Sequence, residues 1–230
     1  MRILERLPRE SGRDYALRTI KDNIIHLDLA PGSLISENEL AVQLGLSRTP
    51  VREALIELSR SKVLEIAPQK RTVVAPIDSA LVEEARFTRH VLECAVVELV
   101  CSMATPEDIF RLEENVRLQE FYIENGPLNA IMELDDAFHK MLFDIAKKAQ
   151  LHALVQYIAI HFDRVRSLAL SNIQDLKIVK DHRLILEAIR SRNGGKAKDI
   201  MSKHLSRSKV DAEDLRNRFP QYFRKDPLDD

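Results

Sequence analysis

The chain has 230 residues, of which 45% are hydrophobic and 31% charged, a composition typical of a soluble protein with one large or two small domains. Its net charge is −1, but residues 1–76 carry a net +2 and the remainder a net −3, a weak asymmetry with the sign that DNA binding requires. No apolar run approaches the roughly 20 residues of a membrane span, and Met1 to Arg6 contain no signal-peptide stretch, so we expect a cytoplasmic protein without membrane contact.

The first region, residues 1–76, predicts a small helical domain that begins with a polar, arginine-rich tail. A first helix follows, with Leu17, Ile20 and Ile24 at helical spacing. We interpret the segment before this helix as a disordered tail, and a DNA-contacting arm is the alternative.

Two short helices around a glycine turn come next. Ser36 and Glu39 have the spacing of a capping box at the start of one helix, and Gly45 ends it. Ser47 can cap the second helix, whose inward face is formed by Val51, Leu55 and Leu58. This order of elements is typical of a helix-turn-helix, in which the second helix reads bases in the major groove.

A hairpin is predicted after the second of these helices. The β-prone runs are Val63–Ile66 and Thr72–Val74, and they are separated by a short turn that contains Lys70 and Arg71. The region from residue 1 to 76 is therefore predicted to be a winged helix-turn-helix domain.

Residues 77–230 show helical periodicity throughout and predict a bundle of about six helices. The fold class is thus mainly α, with an N-terminal winged helix-turn-helix and a C-terminal helical domain.

Arginines mark the start of the second helix of the helix-turn-helix. Arg48 and Arg52 are four residues apart and share a face, and arginine can bridge O6 and N7 of guanine. Thr49 can reach a base edge or a phosphate. A solvated cationic face is the alternative, and the ordered set of cap, turn, arginine pair and hairpin favours DNA binding.

Three histidines and one aspartate fall on apolar faces of the helical domain. Asp135 and His139 project together from one helix, and His182 and His204 lie on two others. Neutral imidazoles and a carboxylate that converge can bind a divalent ion. The pattern leaves hydrogen-bonded core histidines as an equal alternative. Since no HExxH or paired ExxH motif occurs, a metal-dependent enzyme is poorly supported, and we expect no enzymatic activity.

Arg89 lies on an apolar helix face, where a cation requires a partner. A salt bridge to Glu93 or Asp135 would satisfy it. The other interpretation is a clamp for a carboxylate ligand, because arginine binds carboxylates with two parallel hydrogen bonds.

The first region resembles the GntR family of bacterial regulators over two stretches, Pro31–Ala41 and Leu46–Leu55. The resemblance implies DNA contacts by Ser47, Arg48, Thr49 and Arg52, with further contacts from the second helix and the wing. Two positions depart from the family pattern: Asn38 stands where arginine is frequent, and Arg71 stands at a position of the wing turn that is commonly glycine. Lys70 and Arg71 can still bind phosphate.

The second region resembles the C-terminal domain of FadR-type GntR regulators, called FCD, over about residues 79–215. The matching stretches are Asp135–His139, Asp181–Ile189, Met201–Leu205 and Arg89–Glu93. The resemblance implies a metal bound by Asp135, His139, His182 and His204, with zinc as first choice and nickel or manganese as alternatives. It also implies an organic acid as effector, with Arg89 as its ligand.

The expected function is therefore a transcription regulator controlled by a small carboxylate that binds near the metal. We expect a homodimer on a palindromic DNA operator, because paired recognition helices read two half-sites. A regulator that senses the metal itself is the alternative.

Overall fold

A computed structural model describes residues 1–66, 71–126, 128–170, 177–206 and 214–225, without the side chains of residues 124, 125, 128, 129 and 170. These residues are mainly helical with one small sheet, which confirms the predicted fold class. The chain divides into two compact units. The first unit contains Met1–Glu83, Ile160–Ser167 and Glu213–Asp230, and the second contains Glu84–Ala159 and Leu168–Ala212.

The first unit contains the predicted helix-turn-helix. The side chain of Ser36 accepts a hydrogen bond from the Glu39 backbone N–H at 3.3 Å, and Gly45 ends that helix with φ of 64°, a left-handed conformation that favours glycine. Ser47 is the N-cap of the next helix but makes no capping hydrogen bond with its side chain. The elements are α1 (Gly12–Ile25), β1 (Leu34–Ile35), α2 (Glu37–Leu44), α3 (Arg48–Arg60), β2 (Leu64–Ile66) and β3 (Thr72–Val74).

The sheet of the first unit has the strand order β1-β3-β2, and both pairs are antiparallel. Leu64 pairs with Val74 in the hairpin that the sequence predicts. Strand β1, in which Leu34 pairs with Val73, was not predicted, because two residues are too few to show an alternating pattern. Pairing on both sides of β3 fixes the base of the wing.

The core of the first unit joins α1, α2 and α3 to the sheet. The predicted apolar residues Val51, Leu55 and Leu58 of α3 are buried there. The first residues of the chain also contact α1: the Arg2 backbone N–H donates to Asn23 Oδ1 at 2.6 Å, and the Tyr15 hydroxyl donates to the Leu4 carbonyl at 3.0 Å. The segment interpreted as a tail therefore packs against α1.

The second unit is built from helices around a separate apolar core. Thr105 and Asp108 form a reciprocal capping box at the start of one helix. No helix among the described residues is both long and apolar enough to cross a membrane. The helices are α4 (Ser79–Met103), α5 (Pro106–Asn125), α6 (Leu128–Ile145), α7 (Ala149–Leu170), α8 (Lys177–Arg190) and α9 (Gly194–Ser206); the first residues of α4 and Ile160–Ser167 of α7 belong to the first unit.

Candidate functional site

The start of α3 presents polar side chains to solvent. Ser47, Arg48, Thr49 and Arg52 are all exposed, while the opposite face of the helix is buried. The side chains of Arg48 and Arg52 are 62% and 60% exposed. A helix N-terminus with two solvent-exposed guanidinium groups has the geometry of a recognition helix.

Glu37 of α2 connects the two arginines. Arg48 Nε donates to Glu37 Oε1 at 3.2 Å, and Arg52 donates to both carboxylate oxygens at 3.0 and 3.1 Å. These hydrogen bonds hold the pKa of Glu37 below its usual range, with Arg52 as the largest cause and burial opposing it. The sequence did not predict this contact, because Glu37 lies on another helix, 11 residues before Arg48 and 15 residues before Arg52.

Three further residues were considered as DNA contacts in the sequence analysis. Arg71 is exposed directly before β3, and Asn38 is exposed on α2. Lys70 lies outside the described residues.

The four residues of the expected metal site lie together in the second unit. Asp135 and His139 come from α6, His182 from α8 and His204 from α9. One ligand atom of each lies within 4.8 Å of the other three. His204 Nε2 is 3.3 Å from Nε2 of both His139 and His182, and Asp135 Oδ1 is 3.4 Å from His182 Nε2 and 3.8 Å from His139 Nε2.

Each imidazole has an oxygen near its other nitrogen, and for His182 the contact is a hydrogen bond. His182 Nδ1 donates to Gln119 Oε1 at 2.7 Å, and the Gln119 amide nitrogen in turn donates to Asn115 Oδ1 at 2.6 Å. Nδ1 of His139 lies 2.6 Å from Glu93 Oε2, and Nδ1 of His204 lies 3.5 Å from Asp181 Oδ2. Acceptors at Nδ1 favour the tautomer in which Nε2 carries a lone pair.

The pKa values of His182 and His204 are both lowered. Burial, reinforced by His204, lowers the pKa of His182 well below its ordinary value. Burial also lowers the pKa of His204, although its contact with Asp181 opposes the change. The lowered pKa favours the uncharged form of His182 and His204, which is the form that ligates metals.

The arrangement fits a divalent cation. Three Nε2 atoms and a carboxylate oxygen face one another at 3.3 to 3.8 Å, and with the protons on Nδ1 none of the three Nε2 atoms is a donor. Such lone pairs repel one another unless a cation or a proton lies at their centre. The acceptors Glu93, Gln119 and Asp181 are the pattern of outer contacts that orients histidine ligands around a metal.

Arg89 has both salt bridges that the sequence offered as alternatives. Its Nε is 2.7 Å from Glu93 Oε1, and its Nη2 is 3.7 Å from Asp135 Oδ2. Its side chain is 11% exposed. Burial alone would raise the pKa of Glu93, but Arg89 and His139 outweigh burial and lower it to about 2. Arg89 therefore adjoins the cluster of Asp135, His139, His182 and His204 through two carboxylates.

Each of the two regions matches a known protein family. Residues 15–74 match the family described as "Bacterial regulatory proteins, gntR family", and residues 84–207, more than half of the chain, match the FCD domain. The chain belongs to the GntR family. Its FCD domain is consistent with the FadR subfamily that the sequence resembles.

The GntR relatives are similar over almost their whole length. The chain is 30% identical to the HTH-type transcriptional repressor RspR of Escherichia coli K12, covering 94% of this chain and 95% of RspR. It is 32% identical to an uncharacterized HTH-type transcriptional regulator in an unstable DNA locus of Streptomyces ambofaciens, covering 95% and 92%. This GntR protein is therefore a DNA-binding transcription regulator and not an enzyme.

Solved structures support the GntR fold. Escherichia coli McbR/YncC matches with a TM-score of 0.79 at 21% identity, over 91% of this chain and 99% of that one. A GntR regulator from Rhodococcus sp. RHA1 matches with a TM-score of 0.72 at 20% identity, over 90% and 98%. At these identities the likeness concerns the fold alone.

Glu93 offers a test of the buried charges. Glu93→Gln keeps the shape of the side chain but removes the charge that faces Arg89 and His139, so we expect a loss of about 3 kcal/mol in the free energy of unfolding. Urea denaturation of metal-stripped protein at neutral pH measures it. The control is Glu98→Gln on the same helix, because the ion pair of Glu98 with Lys198 is 41% and 51% exposed and should contribute less than about 1 kcal/mol. Equal losses in both variants would contradict the role of Glu93.

Proposed function

We propose that operator binding by this regulator is controlled by a small carboxylate that binds beside a divalent metal ion in the helical unit. The observation that carries the proposal is the convergence of three imidazole nitrogens and a carboxylate oxygen, each imidazole with an acceptor at its far nitrogen. Arg89, which contacts the same cluster, is the proposed ligand of the effector.

DNA recognition is assigned to the exposed start of α3. Arg48 and Arg52 are the proposed base-reading residues, and Thr49 reaches a base edge or a phosphate. Ser47 at the helix N-terminus contacts phosphate, where the helix dipole favours an anion. Lys70 and Arg71 of the wing provide further phosphate contacts.

Charge balance supports a divalent ion in the cluster. The carboxylates of Asp135, Glu93 and Asp181 and the guanidinium of Arg89 leave two negative charges among these groups when the imidazoles are neutral. A divalent cation would neutralise them. Zinc is the first choice, because zinc–nitrogen bonds of about 2.0–2.1 Å in a tetrahedron have ligand separations of about 3.3–3.4 Å. Nickel and manganese are the alternatives.

An organic acid is the proposed effector because Arg89 is a nearly buried guanidinium within 4 Å of the metal cluster. Arginine binds carboxylates in a bidentate manner. A ligand that binds one conformation of the protein better than another changes the populations of the two, and hence the affinity for DNA.

A metal-sensing regulator is the second candidate, and one observation favours it. Arg89 is already paired with Glu93 and Asp135, so an incoming acid must compete with two carboxylates of the protein. In that case the metal alone would change operator affinity.

The proposed organisation assigns residues 1–76 to DNA binding and residues 77–230 to effector binding and dimerisation. A homodimer would present two copies of α3 to a palindromic operator. Binding to chromosomal DNA would place the protein in the bacterial cytoplasm.

Arg52→Ala and Arg48→Ala should each weaken binding to the operator by about 1–3 kcal/mol, because each removes a proposed base contact. The probe is a duplex that the wild-type protein enriches from a random-sequence pool, and fluorescence anisotropy at fixed salt measures affinity. Arg60→Ala removes the same charge from the last turn of α3, where Arg60 is 68% exposed, and should have a smaller effect. Unchanged affinity in both test variants would refute the assignment of α3.

His182→Gln should lower zinc affinity at least tenfold, because the variant loses one of four ligands. Competition with a chromophoric chelator measures the affinity, and elemental analysis should give one ion per chain for the wild type. His90→Gln is the control, since His90 contacts Ser202 and lies outside the cluster. Wild-type zinc binding by His182→Gln would argue against the site.

A thermal-shift screen of small organic acids on zinc-loaded protein tests the effector. We expect at least one acid to raise the melting temperature of the wild type, since a ligand that binds only the folded state stabilises it. Arg89→Ala should abolish the shift and retain the metal. If no acid raises the melting temperature while zinc alone changes operator affinity, the metal-sensing function is supported instead.

A further inference from the structure

A segment of α7 belongs to the DNA-binding unit, although it lies about 85 residues after the wing in the sequence. Ile160 is 1% exposed and packs in the core of the helix-turn-helix. His161 and Arg164 follow on the same helix and are also buried, at 5% and 0% exposure. Sequence analysis assigned all three to the helical domain and gave His161 no role.

The two polar side chains contact the backbone just before and just after the β2–β3 hairpin. His161 Nε2 lies 2.7 Å from the Ser61 carbonyl oxygen, and because a carbonyl only accepts, the ring donates from Nε2. Arg164 Nη1 donates to the Ala75 carbonyl at 2.7 Å. Ser61 is the C-cap of α3, and Ala75 follows β3 directly.

We propose that His161 and Arg164 are positioning residues for DNA binding, which fix the end of the recognition helix and the base of the wing. Neither residue touches DNA in this proposal. They act through the backbone at Ser61 and Ala75, so that α3 and the β2–β3 hairpin present their contacts in one fixed arrangement. The inference rests on the proposed base reading by α3.

The surroundings of Arg164 argue against a role in stability alone. Its guanidinium is fully buried, and its Nε and Nη2 have no hydrogen-bond partner among the described residues. Burial lowers the pKa of Arg164 to about 10, and the charge of Asp78 opposes this only in part. A buried cation with one hydrogen bond is unfavourable, and an apolar side chain of similar volume would be at least as stable. An apolar residue could not reproduce the hydrogen bond to the Ala75 carbonyl at the base of the wing.

A similar argument applies to His161, for which two substitutions separate the hydrogen bond from the packing. The amide nitrogen of glutamine can occupy the place of Nε2 and donate to the Ser61 carbonyl, whereas leucine fills similar space without a donor. If His161 only packs, both glutamine and leucine can replace it. If His161 positions the backbone at Ser61, only glutamine can replace it.

The test uses full-length variants and the duplex enriched by the wild-type protein. We expect Arg164→Met to have an unfolding midpoint in urea equal to or above that of the wild type and about tenfold weaker DNA binding. His161→Leu should weaken binding similarly, and His161→Gln should retain most of it. Arg60→Met is the control for loss of one positive charge next to Ser61, and should bind nearly as the wild type does. Faster amide exchange at residues 71–75 in Arg164→Met would show the local loosening of the wing directly.

Three outcomes would overturn the inference. DNA affinity equal to that of the wild type in both Arg164→Met and His161→Leu excludes positioning. Losses of affinity that follow losses of stability across the variants show a structural role alone. Equal affinities of His161→Gln and His161→Leu exclude the hydrogen bond to Ser61. Failure of the base-reading proposal is seen separately, because Arg52→Ala and Arg48→Ala would then bind as the wild type does whatever the α7 variants do.

Discussion

The second unit depends on one electrostatic constraint, which is that three imidazole rings and a carboxylate converge, with one ligand atom of each within 4.8 Å of the others. Gln119 accepts from His182 Nδ1, and Glu93 and Asp181 lie 2.6 and 3.5 Å from Nδ1 of His139 and His204, which favours the tautomer with a lone pair at Nε2. Because these three residues come from α4, α5 and α8, the packing of the helices and the orientation of the ligands are fixed together. Phe138 stacks on His182 with ring centroids 4.3 Å apart and closes the cluster on its apolar side.

The sequence was sufficient for features that are local in the chain. Gly45, the cap at Ser36 and the paired arginines of α3 follow from spacings of three or four residues, and the same is true of Asp135 and His139. The resemblance to known regulators then joined His182 and His204 to that pair, and the structure brings them together. Spacing alone had left the metal site and a set of ordinary core histidines equally open.

Long-range contacts were outside the reach of that reasoning. Glu37 had no predicted role, yet it pairs with both Arg48 and Arg52 across the helix-turn-helix. Strand β1 is too short to have a periodicity, and the segment of α7 that joins the first unit has the same helical pattern as the rest of its helix. Such contacts depend on tertiary packing, which a single sequence does not encode in any local pattern.

The position of Arg89 connects the two halves of the proposed function. Its guanidinium lies between Glu93, which contacts His139, and Asp135, whose other oxygen faces His182. A carboxylate ligand that binds Arg89 must therefore weaken the ion pair of Arg89 with Glu93 or with Asp135. Glu93 contacts the proposed metal ligand His139, and Asp135 is itself a proposed metal ligand. By linkage, an acid that alters the metal site must itself bind with an affinity that depends on the metal. In the proposed function the acid and the metal are thus two inputs to one buried network, and each changes the affinity of the protein for the other by the same factor.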